Sequence, residues 1–222
     1  MHARLTTVQY QPGKIDDGVR VIRDSISPAA RQQQGCTHLF GLIDRASGKG
    51  IAISLWETEA DLRASETTGY YQQQVAKITP LLAAPPVRET CEVAVYEPLM
   101  PKSGAAPIAR LLTGQYQLNK IDEAIRTVRD SIFPDVRQQK GFTGALLLVD
   151  RASGKGIGIS LWETMAALTA SEASGNLARN LTKVVPFAVA PPVREAYELP
   201  IVDQYKPMTM PPMGAQPQPP AP

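Results

Sequence analysis

The chain has 222 residues, 43% of them hydrophobic, and a formal net charge of +2 from 23 basic and 21 acidic side chains, enough apolar material for two small cores. Charge this balanced, with no basic stripe, excludes a surface built to track phosphates, so no nucleic-acid partner is expected. The N-terminal segment has no apolar leader core and no stretch is apolar for long enough to cross a bilayer, so no membrane association is expected and the cytoplasm is the expected compartment.

Residues 3–97 recur without a gap as 109–203, about half of the paired positions being identical. The unit is too long for a solenoid repeat, so each copy is expected to be a small domain. In the first copy the alternating run RLTTVQYQ predicts a strand, and apolar residues at 15, 19, 22 and 26 predict one face of a helix from Ile15. Ile121, Ile125, Val128 and Ile132 repeat that spacing. Pro28 and Pro134 are expected to end or kink this helix, and Gly35 and Gly141 to supply a positive φ after it. THLFGLIDR and KGIAISLWE follow as two strands of a hairpin. The Asp44–Gly50 loop between them resembles a phosphate loop only in composition, because a strand and not a helix follows it.

Thr58 with Asp61 predicts the N-cap of a second helix, carrying Tyr71, Val75 and Ile78 in one copy and Leu177, Leu181 and Val184 in the other, with Gly69 and Gly175 as points of division. Pro85 and Pro86 close it, and VRETCEVAV resumes alternation as the last strand. The expected layout is a first repeat at 1–97, a linker at 98–108, a second repeat at 109–203 and a disordered Pro-rich tail at 204–222. Cys36 and Cys91 are matched by Phe142 and Tyr197, so reduced thiols are expected.

The order β-α-β-β-α-β is that of a ferredoxin-like unit, with both helices on one face of an antiparallel sheet and the other face in need of cover. The third strand of each copy ends in a Trp-Glu pair that leads into a helix, Trp56-Glu57-Thr58 and Trp162-Glu163-Thr164. On this order and these residues, both copies resemble the dimeric α/β-barrel superfamily, especially its antibiotic-biosynthesis-monooxygenase-like (ABM-like) branch. The resemblance implies an α+β fold in which two tandem ferredoxin-like units form an intrachain, pseudo-dimeric α/β barrel. It also implies a ligand cleft between sheet and helices in each copy. Some members of the branch oxidise aromatic polyketides or quinols with molecular oxygen and neither metal nor flavin, often with a His or Trp nine residues after the strand Trp. Here Ser65 and Ser171 stand at that place.

Two functions follow. One is an ABM-like, cofactor-independent monooxygenase or related enzyme acting on a small aromatic or quinol-like substrate. The alternative is a non-catalytic small-molecule-binding or stress-associated barrel. Trp56 and Trp162 share a strand face with Ala52, Ser54, Gly158 and Ser160, and serve either as core or as a wall beside an aromatic ligand. Tyr10 and Tyr116, flanked by glutamines, are candidates to hydrogen-bond a ligand oxygen, or are strand tips. Glu66 and Glu172 lie on the helix face of Leu62 and Leu168, as desolvated general bases or as solvated carboxylates. His38, on a strand face with Phe40 and Leu42, is a lone base or a structural histidine; its counterpart is Gly144. No zinc spacing, catalytic triad or dinucleotide fingerprint is present, so no cofactor or metal is expected. The expected partners are a small aromatic or hydrophobic ligand and a second copy of the chain in a homodimer.

Overall fold

The computed structural model describes residues 1–98 and 107–206. Most of the expected linker and all of the tail after residue 206 lie outside the described residues. The alternating runs form β1 (His2–Gln9), β2 (Cys36–Asp44), β3 (Lys49–Trp56) and β4 (Val87–Glu97), and again β5 (Ile108–Gln115), β6 (Phe142–Asp150), β7 (Lys155–Trp162) and β8 (Val193–Gln204). β8 therefore ends one residue beyond the expected end of the second copy, and Tyr205 after it packs against the apolar clusters under the first pair of helices.

The first helical segment is α1 (Ile15–Val21), a π-helical turn at Ile22–Ile26, and α2 (Ser27–Arg31). The second copy repeats it as α5 (Ile121–Thr127), a π turn at Val128–Ile132, and α6 (Phe133–Arg137). Pro28 and Pro134 do not end these helices; each sits in the first turn of the segment after the π turn. Proline lacks the N–H that an α-helical ladder needs, and the wider turn just before it absorbs the missing bond. The second helical segment is divided as expected, at Gly69 (φ +79°) and Gly175 (φ +75°), into α3 (Glu59–Thr67) with α4 (Tyr70–Ile78) and α7 (Met165–Ala173) with α8 (Asn176–Val184). The Thr58 hydroxyl caps α3 by accepting the Asp61 N–H at 3.1 Å, and Thr164 caps α7 through the Ala167 N–H at 3.1 Å.

All eight strands close one antiparallel barrel in the order β1-β3-β2-β8-β5-β7-β6-β4. Closure depends on the last strand of each copy, which serves two sheets. Residues 87–92 of β4 pair with β1 and residues 92–97 with β6, while β8 pairs with β5 through 193–198 and with β2 from Glu198 to Gln204. The barrel lumen is filled by Leu5, Phe40, Leu42, Ile53 and Leu55 with Leu111, Leu146, Leu148, Ile159 and Leu161, residues from both halves of the chain. The void left among these side chains is only about 10 Å³, so the lumen is a core and not a binding site.

Gly141 leaves the α6 turn at φ +82°, and a Cβ there would stand 2.5 Å from the Cβ of Ala167. Gly35 has the same backbone (φ +72°), and a Cβ there would stand 2.6 Å from the Cβ of Asp61, which the helix holds in place. Gly141→Ala and Gly35→Ala are therefore each expected to cost about 2–3 kcal/mol, the sum of left-handed strain and overpacking. Urea melts of the two variants check this, and a loss below about 1 kcal/mol in either would refute it.

Candidate functional site

Both faces of the sheet are covered, so strand parity divides the side chains between lumen and helices. In β1 and β3 the helix side receives Arg4, Thr6, Ala52, Ser54 and Trp56; in β5 and β7 it receives Arg110, Leu112, Gly158 and Ser160. A cleft lies between sheet and helices in each half, of about 60 Å³ in the first and about 90 Å³ in the second. A wider groove of about 440 Å³ on the rim between α3 and β6 has charged walls that neutralise one another, Glu66 with Arg88 at 2.6 Å and Glu92 with Arg151 at 2.5 Å.

The two clefts are built differently. In the first, the Tyr71 ring covers the Arg4 guanidinium at 4.5 Å, with the Trp56 ring 5.1 Å from it on the strand side. Arg4 Nη1 donates to Ser65 Oγ at 2.8 Å, and the Tyr71 and Thr6 hydroxyls are 3.3 Å apart. Tyr70 and Gln74, both buried, complete the wall, so side chains of the fold occupy most of this cleft. In the second cleft the counterparts of Tyr70, Tyr71 and Gln74 are Asn176, Leu177 and Asn180. No ring covers Arg110 from that side, and an apolar slot opens among Val128, Phe133, Leu147, Leu181 and Val184.

Sequence reasoning missed the two buried arginines. Arg110 is 3% exposed, sits over the Trp162 ring at 5.2 Å, and is the only charged side chain among the described residues lining its cleft. Its Nε and Nη1 have no hydrogen-bond partner in the fold. Glu172 Oε1 is 3.7 Å from Nη1, an ion pair beyond hydrogen-bond reach, while Arg194 holds the same carboxylate through two bonds of 2.6 and 2.9 Å. Burial pulls the Arg110 pKa below the ordinary arginine value, and Glu172 offsets part of that shift. The signal was a cation in the middle of an alternating strand in both copies, at the parity of Tyr10 and Tyr116.

The structure brings some of the sequence candidates together and separates others. Trp56 and Trp162 are fully buried, each indole N–H donating to the serine two residues earlier, Ser54 at 2.9 Å and Ser160 at 3.0 Å. Trp56 lines the first cleft, and Trp162 lies beneath Arg110 of the second. Tyr10 is not an exposed strand tip: its ring fills the space above Gly18, burial pushes its pKa up to about 12, and it lies outside the first cleft. The counterpart of Gly18 is Ala124, whose methyl group bars that position to Tyr116. Tyr116 lines the second cleft instead, half-buried, with burial raising its pKa.

Glu66 and Glu172 were expected either as desolvated general bases or as solvated carboxylates. The structure places each between two guanidinium groups, Arg4 at 3.6 Å and Arg88 at 2.6 Å for Glu66, and Arg110 and Arg194 for Glu172. His38 faces the lumen end and not a cleft, stacked on Phe40 at 5.7 Å with Nε2 3.4 Å from the Tyr96 hydroxyl. Desolvation lowers its pKa from 6.5 to about 4. Between these values the unfolded chain takes up a proton that the folded chain refuses, so stability falls as pH drops from about 6.5 to about 4, by up to about 3 kcal/mol. His38→Gln is expected to remove that acid limb in urea melts at stepped pH, and parallel curves for the two proteins would refute it.

No protein-family profile matches the chain. The uncharacterized protein Rv2557 of Mycobacterium tuberculosis is 30% identical over 180 residues, which cover 79% of this chain and 77% of that protein. Among solved structures, a candidate monooxygenase of Fusobacterium nucleatum superposes with a TM-score of 0.75 at 10% identity, over 91% of this chain and 94% of that one. An anthrone oxidase-like protein superposes with a TM-score of 0.64 at 12% identity, over 92% and 93%.

Proposed function

Because the chain belongs to the family of the Mycobacterium tuberculosis protein Rv2557 and has the dimeric α/β-barrel fold of the ABM-like proteins, we propose that it takes a small, largely apolar molecule into the cleft between β5, β7, the π turn at Val128–Ile132, α6 and α8. The observation that carries this reading is the second cleft itself: an open apolar slot of about 90 Å³ over a buried, incompletely paired arginine, in a fold whose lumen is packed and whose first cleft holds its own tyrosines.

The finer reading is cofactor-independent oxygenation of a phenol- or quinol-like substrate whose oxygen-bearing edge enters that cleft while its rings lie at the mouth, since a slot of about 90 Å³ is too small to enclose a ring. Tyr116 and Arg110 line the same space, a phenol able to hydrogen-bond a substrate oxygen and a cation able to stabilise the substrate as its anion. An enolate or phenolate gives an electron to oxygen more readily than the neutral molecule does. The fold neighbours named above, a candidate monooxygenase and an anthrone oxidase-like protein, favour the same chemistry. Glu172 then acts by holding Arg110, and Trp162 forms the floor.

Anthrone supplies the test, since its oxygenation to anthraquinone consumes one O2 and releases one water. Oxygen uptake above the protein-free rate, lost in Leu177→Tyr, is the expected result. Uptake equal to the blank would remove the oxygenase reading and leave a binding protein.

A further inference from the structure

In the first half Arg4 is satisfied from within: Ser65 takes its N–H and the Tyr71 and Trp56 rings sandwich its guanidinium. In the second half the same strand position is left incomplete. Arg110 Nε and Nη1 make no hydrogen bond, with Glu172 Oε1 no nearer than 3.7 Å to Nη1, Ser171 makes no bond to it, and Leu177 replaces the covering tyrosine. Asn180, 4% exposed, spends its amide N–H on Asn176 Oδ1 at 2.9 Å and leaves its own Oδ1 without a donor. Buried donors and acceptors left open in this way are costly in a fold that offers nothing in exchange, and here they converge on an apolar slot.

We propose that the second cleft, and not the first, binds one amphiphilic anion per chain, its anionic oxygen paired with Arg110 and its apolar body lying along Val128, Phe133, Leu181 and Val184 toward the mouth. This rests on the reading of the cleft as a small-molecule site and adds the charge of the ligand, its anchor and the stoichiometry. Each part follows from the geometry. Only one cation faces the slot among the described residues, so a monoanion is matched and a dianion is not. A ligand hydroxyl or N–H next to the anionic group would satisfy Asn180 Oδ1. The slot of about 90 Å³ is smaller than the roughly 150 Å³ that accepts a benzene ring, so the part enclosed with Arg110 is narrow and any bulk lies outward. The outward part meets apolar surface: Val185, Val189 and Val193 flank the mouth residues Ala188, Ala190 and Pro192 and are each more than 60% exposed. Two of their counterparts beside the first cleft are Thr79 and Ala83.

Calorimetric titration of the full chain at neutral pH with octanoate and with 1-octanol, slender probes that differ in charge, tests the proposal. One octanoate per chain is expected, with 1-octanol at least tenfold weaker. Arg110→Met should weaken octanoate at least tenfold and bring the two probes level. Leu177→Tyr, which installs the ring that the first half already carries, should abolish octanoate binding without touching a charge, and it decides the matter if Arg110→Met does not fold. Equal affinity for the two probes, or an unchanged octanoate affinity in Arg110→Met, overturns the anion anchor while the neutral-ligand cleft stands. Two equivalent octanoates per chain overturn the assignment to one half. Binding of neither probe removes this inference and the small-molecule reading together.

Discussion

Replacing Trp162 with Ala is expected to lower the unfolding free energy by about 3–5 kcal/mol, the range for deleting a fully buried large aromatic side chain. Trp162 is 0% exposed and packs among Ile108, Val136 and Leu168, with the Phe142 ring edge-on at 5.9 Å. Strands and helices surround it on all sides, so little can collapse into the space, and the Ser160 hydroxyl loses its donor. For about 200 folded residues, a loss of that size lowers Tm by about 10 °C. Arg110 would also lose the ring beneath it, so ligand affinity should fall with stability. Trp162→Phe, which keeps most of the ring, should cost much less. A loss below about 1 kcal/mol in Trp162→Ala would mean that the indole is not part of the core.

A chain cut once between residues 98 and 107 is expected to remain one body on a sizing column. β4 and β8 each pair with a strand of the other half, and the lumen core draws Leu5, Leu42 and Ile53 from one half and Leu111, Leu148 and Ile159 from the other. Separation would expose both sets to water at roughly 1.5–3 kcal/mol for each large apolar side chain, a sum that no cut chain could bear and stay folded. The ion pairs across the seams, Lys49 with Glu195 at 2.6 Å and Arg45 with Glu198 at 2.8 Å, lie at partly exposed rims and add little. Association should therefore survive high salt. Two separate, folded fragments after the cut would contradict a shared lumen.

Much of this architecture was legible in the sequence, because period-two and helical spacing repeat in register through both copies and each local signal agrees with the next. The proline at position 28 misled in part: its place depends on a π turn, which has no simple residue signature. The site was harder for two physical reasons. Both faces of the sheet are buried, so alternation tells which residues share a face but not whether that face is lumen or cleft. His38 was grouped correctly with Phe40 and Leu42, yet that group fills the lumen. The structural difference between the two clefts, for its part, depends on exchanges such as Tyr71 with Leu177 and Gly18 with Ala124, ordinary substitutions until the group facing them is known. Arg110 was visible as a cation inside a strand, but a charged strand residue is usually solvated, and only the packed helices show this one to be enclosed.

The most direct test follows the indole N–H resonances of the two tryptophans, the only two in the chain, by two-dimensional ¹H–¹⁵N NMR while octanoate is added. Trp56→Phe assigns the pair. The Trp162 signal, directly beneath Arg110, should move with octanoate and saturate at one equivalent, while the Trp56 signal stays in place under its own tyrosine-filled cleft. Equal movement of both signals, or movement of Trp56 alone, would contradict a ligand site confined to the second half.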